Sequence, residues 1–134
     1  MSVLDRQRDL GLLVLRIGMG AMFMGHGWPK LMGGPTLWEK LGHAVQPFGL
    51  DIVPVFWGFM AMFAELFGGL LLATGIAFRP ACVLMLTTMI VASTQHLTHG
   101  DGFGKASHAI EAAIVFLSLL LIGPGTYRLR IGRG

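Results

Sequence analysis

Charged side chains interrupt the long apolar stretches of this 134-residue chain at three positions, Arg16, Glu65 and Glu111. A charged group in hydrocarbon costs several kcal/mol, so each needs a partner, a watery cavity or a route to the lipid headgroups. At a rise of about 1.5 Å per helical residue, Glu65 and Glu111 lie near the middle of a bilayer and Arg16 lies closer to one surface. The same count places His26 and His96 near the opposite mouth, about 24 Å from that surface. These positions predict a polar site between membrane-spanning helices.

Helical periodicity indicates which way these groups point. At about 100° per residue, Gly58 and Gly68 share the face of Glu65, and small residues let a neighbouring helix approach closely. Serines share the face of Glu111 on the last span, with His108 at its edge. We therefore expect one central polar cluster that opens outward, formed by Glu65, Gln95, His96, His108 and Glu111, with His26 nearby.

Two kinds of role without a metal fit such a cluster. In a structural interpretation, Arg16 neutralises one carboxylate and the other acids are protonated or hydrogen-bonded, which sets only the register of the helices. In a binding interpretation, the carboxylates and histidines bind or protonate the carbonyl oxygens of a small lipophile with a polar head, such as a quinone.

A metal ion or a haem is the third interpretation. His96 with His99, and His108 with Glu111, are candidate metal ligands, because the two residues of each pair lie on one face of a helix. His26 and His96 are candidates to bind a haem iron from its two sides. The order His-x-x-Glu is the reverse of the Glu-x-x-His of di-iron bundles, and a second copy is missing.

The composition indicates that membrane spans carry these residues. The chain is 54% hydrophobic and 13% charged, with a mean hydropathy of +0.69, whereas soluble domains are about 25% charged. Four apolar runs, each near the roughly 20 residues that cross a bilayer, cover about residues 10–28, 53–78, 80–97 and 107–122. We predict an all-α integral membrane four-helix bundle, with residues 1–134 as a single transmembrane domain. The basic residues form no patch, so no nucleic-acid partner is expected.

Basic residues in the flanks predict the orientation. Six arginines, Arg133 among them, lie on the side of the two termini, and three lysines, Lys30, Lys40 and Lys105, lie on the other side. The positive-inside rule then places both termini in the cytoplasm.

The long connection 29–52 lies outside in this topology. Trp38, Leu41 and Val45 recur in it at helical spacing, which predicts a short interfacial helix between spans one and two. Such a helix either anchors the loop in the headgroup layer or covers a site between the spans.

Small residues also form a stripe on the first span, at Gly11, Gly18, Ala21 and Gly25. Close packing inside the bundle is the expected role, and a homodimer seam is the alternative. Cys82 is the only cysteine, which excludes an intramolecular disulfide and predicts a structural thiol.

Several segments, taken in order, resemble the bacterial DoxX family, and the likeness covers essentially the whole chain. They are Arg16 with the run 25–31 (GHGWPKL), the run 64–75 (AELFGGLLLATG), Arg79-Pro80-Ala81, Glu111, and Gly123-Pro124-Gly125. The resemblance implies a four-helix protein of the bacterial inner membrane, with Arg16, Lys30, Glu65 and Glu111 as its key polar positions. It also implies association with redox systems, because the family is named for a membrane subunit linked to thiosulfate:quinone oxidoreductase.

We therefore expect an accessory or quinone-interacting subunit of a membrane redox system. In that role Glu65 and Glu111 would handle protons, His26 and His96 would bond the quinone head, and Arg16 would offset negative charge. A non-enzymatic assembly factor or small-molecule carrier is the alternative, since no self-sufficient catalytic motif is present. The expected partners are membrane lipid, a redox protein and a second copy of the chain.

Overall fold

The computed structural model describes residues 1–131 and consists of helices joined by short connections; Arg133, which entered the orientation count, lies outside the described residues. The helices are α1 (Val3–Gly42), α2 (Pro54–Thr74), α3 (Phe78–Thr98) and α4 (Phe103–Ile122), and a 3-10 helix (His43–Phe48) follows α1. All four α-helices are long and apolar enough to cross a membrane. The predicted four-helix membrane fold is confirmed.

Contacts between α1 and α2 show that these helices run antiparallel and very close together. A Cβ atom added to Gly20 would come within 2.5 Å of the Gly69 carbonyl oxygen, and one added to Gly27 would come within 2.7 Å of the Leu66 nitrogen. Only glycine allows two helix backbones to approach this closely. These contacts place the Glu65 turn of α2 beside the Lys30 turn of α1.

The glycines expected to pack inside the bundle lie on its outside. Ideal Cβ atoms on Gly11, Gly18 and Gly25 would meet no atom within 4 Å, so the prediction of internal packing for that stripe was wrong. The first span carries two glycine faces, and periodicity alone does not distinguish the face that contacts α2 from the face that points away.

The segment expected to form a separate short helix is helical, but it continues from α1. Gly34 has non-helical backbone angles (φ 61°, ψ −161°) just before Pro35, which kinks α1 without ending it. Past the kink, the backbone of Trp38 contacts Gly58 and Gly42 contacts Pro54. The outer part of α1 (residues 35–42) therefore packs along the first turns of α2, and the 3-10 helix returns from there towards α3.

Both ends of the described chain lie on one side of the bundle, the termini side; the opposite side is the loop side. The stretch after α4 packs against the termini-side ends of α1 and α2. There the Thr126 hydroxyl donates to the Asp9 carboxylate, and the Leu129 N–H donates to the Thr74 carbonyl. Arg16 holds this stretch in place.

Arg16 is 1% exposed and bonds backbone carbonyls instead of a carboxylate. Its guanidinium donates to the Leu72 and Ala73 oxygens, at 3.2 and 3.0 Å, at the carbonyl end of α2. It also donates to the Pro124 and Tyr127 oxygens, at 2.5 and 2.7 Å. The last carbonyls of a helix lack intrahelical partners and form the negative end of its dipole, so they attract a cation. The expectation that Arg16 offsets a carboxylate is thereby corrected.

Candidate functional site

A cavity of about 580 Å³ lies between α2 and α3 and is closed on the loop side by the outer part of α1 and the 3-10 helix. Its walls are mainly apolar and aromatic, as is usual for pockets that bind small organic molecules. Residues that line these walls include Leu41, Val45, Phe48, Phe56, Trp57, Met60, Ala61, Leu84, Ile90, Val91 and Ala92.

An ion pair supplies the strongest polar groups of the cavity. Nζ of Lys30 lies 2.6 Å from Oε2 of Glu65, and the two side chains are 24% and 7% exposed. A pair this close and this secluded is a charge-assisted hydrogen bond, and its loss would leave an uncompensated charge in a medium of low dielectric constant. Both residues line the cavity, so a bound molecule can reach the pair.

The local structure of α1 positions Lys30. The Lys30 carbonyl, four residues before the kink at Gly34, accepts a hydrogen bond of 2.7 Å from the indole nitrogen of Trp38. The Trp38 ring packs edge-on against Phe59 of α2, with 5.2 Å between ring centroids. The kink and the indole together bring the outer part of α1 back onto α2, next to the ion pair.

Two neutral polar side chains of α3, Thr88 and Gln95, also line the cavity. The Thr88 hydroxyl donates to the Leu84 carbonyl at 2.9 Å, which leaves its oxygen free to accept. Among residues 1–131 the side-chain amide of Gln95 forms no hydrogen bond, so it is available both as donor and as acceptor. The cavity thus offers an ammonium, a carboxyl, a hydroxyl and an amide within an apolar enclosure.

The cavity communicates with the lipid-facing surface. Phe48, Phe56 and Ile90 line it, and each is 48% exposed on the outside of the bundle. The cavity therefore reaches the outer surface of the bundle.

The structure does not bring the predicted polar residues into one cluster. Glu65 and Gln95 share the cavity with Lys30, whereas His26, His108 and Glu111 are exposed on the outside of α1 and α4. The face of α4 that points inward carries Ala112, Phe116 and Leu119 instead.

The histidines of α3 lie at its loop-side end. Nδ1 of His96 is 2.8 Å from a carboxylate oxygen of Asp101, and Nδ1 of His99 is 3.0 Å from the Gln95 carbonyl. The hydrogen bond with His96 is the main reason why the pKa of Asp101 lies below its usual value of 3.8. Within residues 1–131, no three His, Cys, Asp or Glu side chains converge to hold a metal ion, so one subunit does not bring the candidates His96, His99, His108 and Glu111 together around a single ion.

Periodicity missed part of this site. The first span was expected to end at Trp28, which placed Lys30 in an external loop, and only the family resemblance singled Lys30 out. Helix α1 in fact continues through Pro29 and Pro35, and this extension carries Lys30 to Glu65. Val45 of the 3-10 helix belonged to the segment whose helical spacing predicted an anchor or a cover over a site. Trp57 had no signal beyond its hydrophobicity, because no pattern shows which surfaces a kinked helix will enclose.

Comparison with known proteins supports the resemblance. The family model DoxX matches residues 11–99, a range that includes Lys30, Glu65 and Gln95. A protein of Bacillus subtilis (strain 168) named "Putative oxidoreductase CatD" is 32% identical over 120 residues, which cover 90% of this chain and 84% of that protein. No solved structure matches the chain significantly.

Proposed function

Since this chain belongs to the DoxX family and has four helices able to cross a membrane, we propose that it is an accessory subunit of a membrane redox system that binds a quinone beside Lys30 and Glu65. The observation that carries this proposal is the apolar cavity of about 580 Å³ with an ion pair in its wall. The name of the Bacillus subtilis relative, "Putative oxidoreductase CatD", supports the redox setting.

A quinone matches the chemistry of this cavity. Its ring and tail are apolar, and its carbonyl oxygens accept hydrogen bonds from an ammonium or amide group. Reduction to the quinol requires two electrons and two protons. The ammonium of Lys30 can hydrogen-bond a quinone oxygen, and the carboxylate of Glu65 can take up protons from water and pass them to that oxygen. The Gln95 amide can donate a hydrogen bond to a quinone oxygen, and the Thr88 oxygen, whose proton is donated to Leu84, can accept one from a quinol hydroxyl.

The electrons come from a partner in this proposal. The only cysteine, Cys82, is fully buried in the core, so the chain has no pair of thiols to cycle between dithiol and disulfide. A redox protein docked on the bundle supplies the electrons, and the bundle holds the quinone in place. We further propose an inner-membrane location with both termini in the cytoplasm, on the basis of the arginines on the termini side.

Quinone titration tests the proposal. The protein, reconstituted in lipid nanodiscs, is titrated with a short-tailed ubiquinone, and binding is followed by quenching of tryptophan fluorescence, since Trp57 lines the cavity. Glu65→Gln and Lys30→Met should each weaken binding by about tenfold or more, because each removes a hydrogen bond that involves a charged group. Glu39→Gln and Lys40→Met, at exposed positions in the outer part of α1, are the matched controls.

The outcomes separate the candidate functions. Equal affinity in the wild-type protein and both cavity variants would exclude the cavity as a quinone site. Quinone binding that never leads to quinol formation with any co-purified redox protein would favour the carrier function. Two fusion proteins test the orientation: one carries a fluorescent reporter after residue 134, and the other carries a phosphatase that is active only in the periplasm. If the C-terminus is cytoplasmic, the first is fluorescent and the second has no phosphatase activity.

A further inference from the structure

Glu111 is a carboxyl group without a partner near the middle of a membrane span. It lies in α4 (Phe103–Ile122), it is exposed on the outside of the bundle, and it forms no hydrogen bond or ion pair with any of residues 1–131. A carboxyl that faces lipid tails costs several kcal/mol, and intramembrane acids generally pair with another polar group. A second protein surface that covers this position and offers a hydrogen-bond partner would remove that cost.

A polar group of the right kind lies on the neighbouring helix at the same depth. Phe23 of α1 contacts Phe116 of α4 edge-on, with 5.0 Å between ring centroids. Because α1 and α4 run antiparallel, His26 lies about 4.5 Å and Glu111 about 7.5 Å beyond that contact, both towards the loop side. The two heights therefore differ by about 3 Å. His26 is exposed, its ring packs in a T-shaped arrangement against Phe23, and its side chain forms no hydrogen bond or ion pair with any of residues 1–131.

The surface around His26 also has room for a helix. Ideal Cβ atoms on Gly11, Gly18 and Gly25 would meet nothing within 4 Å, whereas those on Gly20 and Gly27 would collide with α2. The outer glycines thus have no packing role within one subunit. Glycines at this spacing allow close approach of a further transmembrane helix.

We propose that two copies of this chain associate through the outer faces of α1 and α4, with His26 of each copy donating a hydrogen bond to Glu111 of the other. In a two-fold interface, residue i of one copy meets residue j of its partner and j meets i. The face carries both a donor and an acceptor at one depth, and both copies cross the bilayer in the same direction, so the pair forms twice. This complementarity of the face with itself identifies a second copy as the occupant.

Subunit counting in lipid tests the interface. The protein is labelled with one fluorophore per chain, reconstituted over a range of protein-to-lipid ratios, and counted by stepwise photobleaching. The wild-type protein should be dimeric. Glu111→Leu and His26→Leu should each weaken association by about tenfold or more, because each leaves the other group unpaired in the interface. Glu39→Leu and His99→Leu, at exposed positions of the same residue types, should leave the dimer intact.

A swap variant distinguishes a direct pair from a general loss of folding. His26→Glu with Glu111→His restores both hydrogen bonds with the roles exchanged, so it should dimerise more strongly than either leucine variant. In a Cys82→Ala background, a bis-maleimide linker should also join a chain that carries His26→Cys to a second chain that carries Glu111→Cys. It should not join a chain with Phe63→Cys to a chain with Ile90→Cys. A monomeric wild-type protein at every ratio, leucine variants that dimerise normally, or a swap without recovery would each overturn the proposal.

Discussion

Nζ of Lys30 lies 2.6 Å from Oε2 of Glu65, and this contact joins α1 to α2 at the wall of the cavity. Lys30 is thus the cationic partner of Glu65, although hydropathy assigns Lys30 to a loop outside the spans. The same pair serves packing and, in our proposal, ligand binding, and these two roles are separable by mutation.

The ion pair should show strong coupling in a double-mutant cycle. Glu65→Leu and Lys30→Met should each lower the free energy of unfolding by about 3–5 kcal/mol, because each leaves a buried charge without a partner. The double variant should lose much less than the sum, since no charge remains unpaired. Unfolding in mixed micelles measures these values. Additive losses would mean that the two side chains do not interact.

Arg16 should hold the residues after α4 in place. Arg16→Met removes all four hydrogen bonds to backbone oxygens, so protease should cut after Ile122 much faster than in the wild-type protein. Arg16→Lys should give only partial protection, because an ammonium cannot reproduce the planar fork of donors. Arg79→Lys, at an exposed position, is the control. Equal cutting of the Met variant and the wild-type protein would refute this role.

A larger side chain in the cavity should weaken ligand binding without unfolding the bundle. Ala61 lines the cavity, so the phenyl ring of Ala61→Phe would fill part of its volume of about 580 Å³. This variant should lower quinone affinity by about tenfold or more. It should lower the free energy of unfolding by no more than about 1–3 kcal/mol. Val83→Phe, on the exposed face of α3, controls for added bulk. Unchanged affinity in the Ala61 variant would place the ligand elsewhere.

Acid should loosen the turn between α3 and α4. The hydrogen bond with His96 lowers the pKa of Asp101 in the folded protein below its ordinary value of 3.8. The ionised carboxylate therefore stabilises the turn at and above that pH, and the contribution is lost as the pH falls below 3.8 through the lowered pKa. Hydrogen exchange of residues 99–102 should accelerate over that range in the wild-type protein. In Asp101→Asn, exchange corrected for its intrinsic rates should show no such acceleration. An acceleration of the same size in this variant would mean that another titrating group causes it.

Hydropathy, span length and turn residues were sufficient to determine a four-helix membrane protein. Each span is selected by its own apolar length, which is a local property. The inward direction of Glu65 was also predictable, because the glycines that admit a neighbouring helix surround it on one face of α2. On α4 the same reasoning failed: serines share the face of Glu111, yet the buried face is the one that carries the alanines and Phe116.

The sequence by itself therefore determined the number of spans and the presence of charged residues within them, because hydropathy and the cost of polar groups in hydrocarbon are properties of each segment by itself. Only the tertiary structure decided which charges meet. The kink at Gly34 and the continuation of α1 to Gly42 bring Lys30 to Glu65, and Arg16 reaches carbonyls more than fifty residues away along the chain. Such pairings depend on helix rotation and kink angle, which follow from how all the helices fill space together.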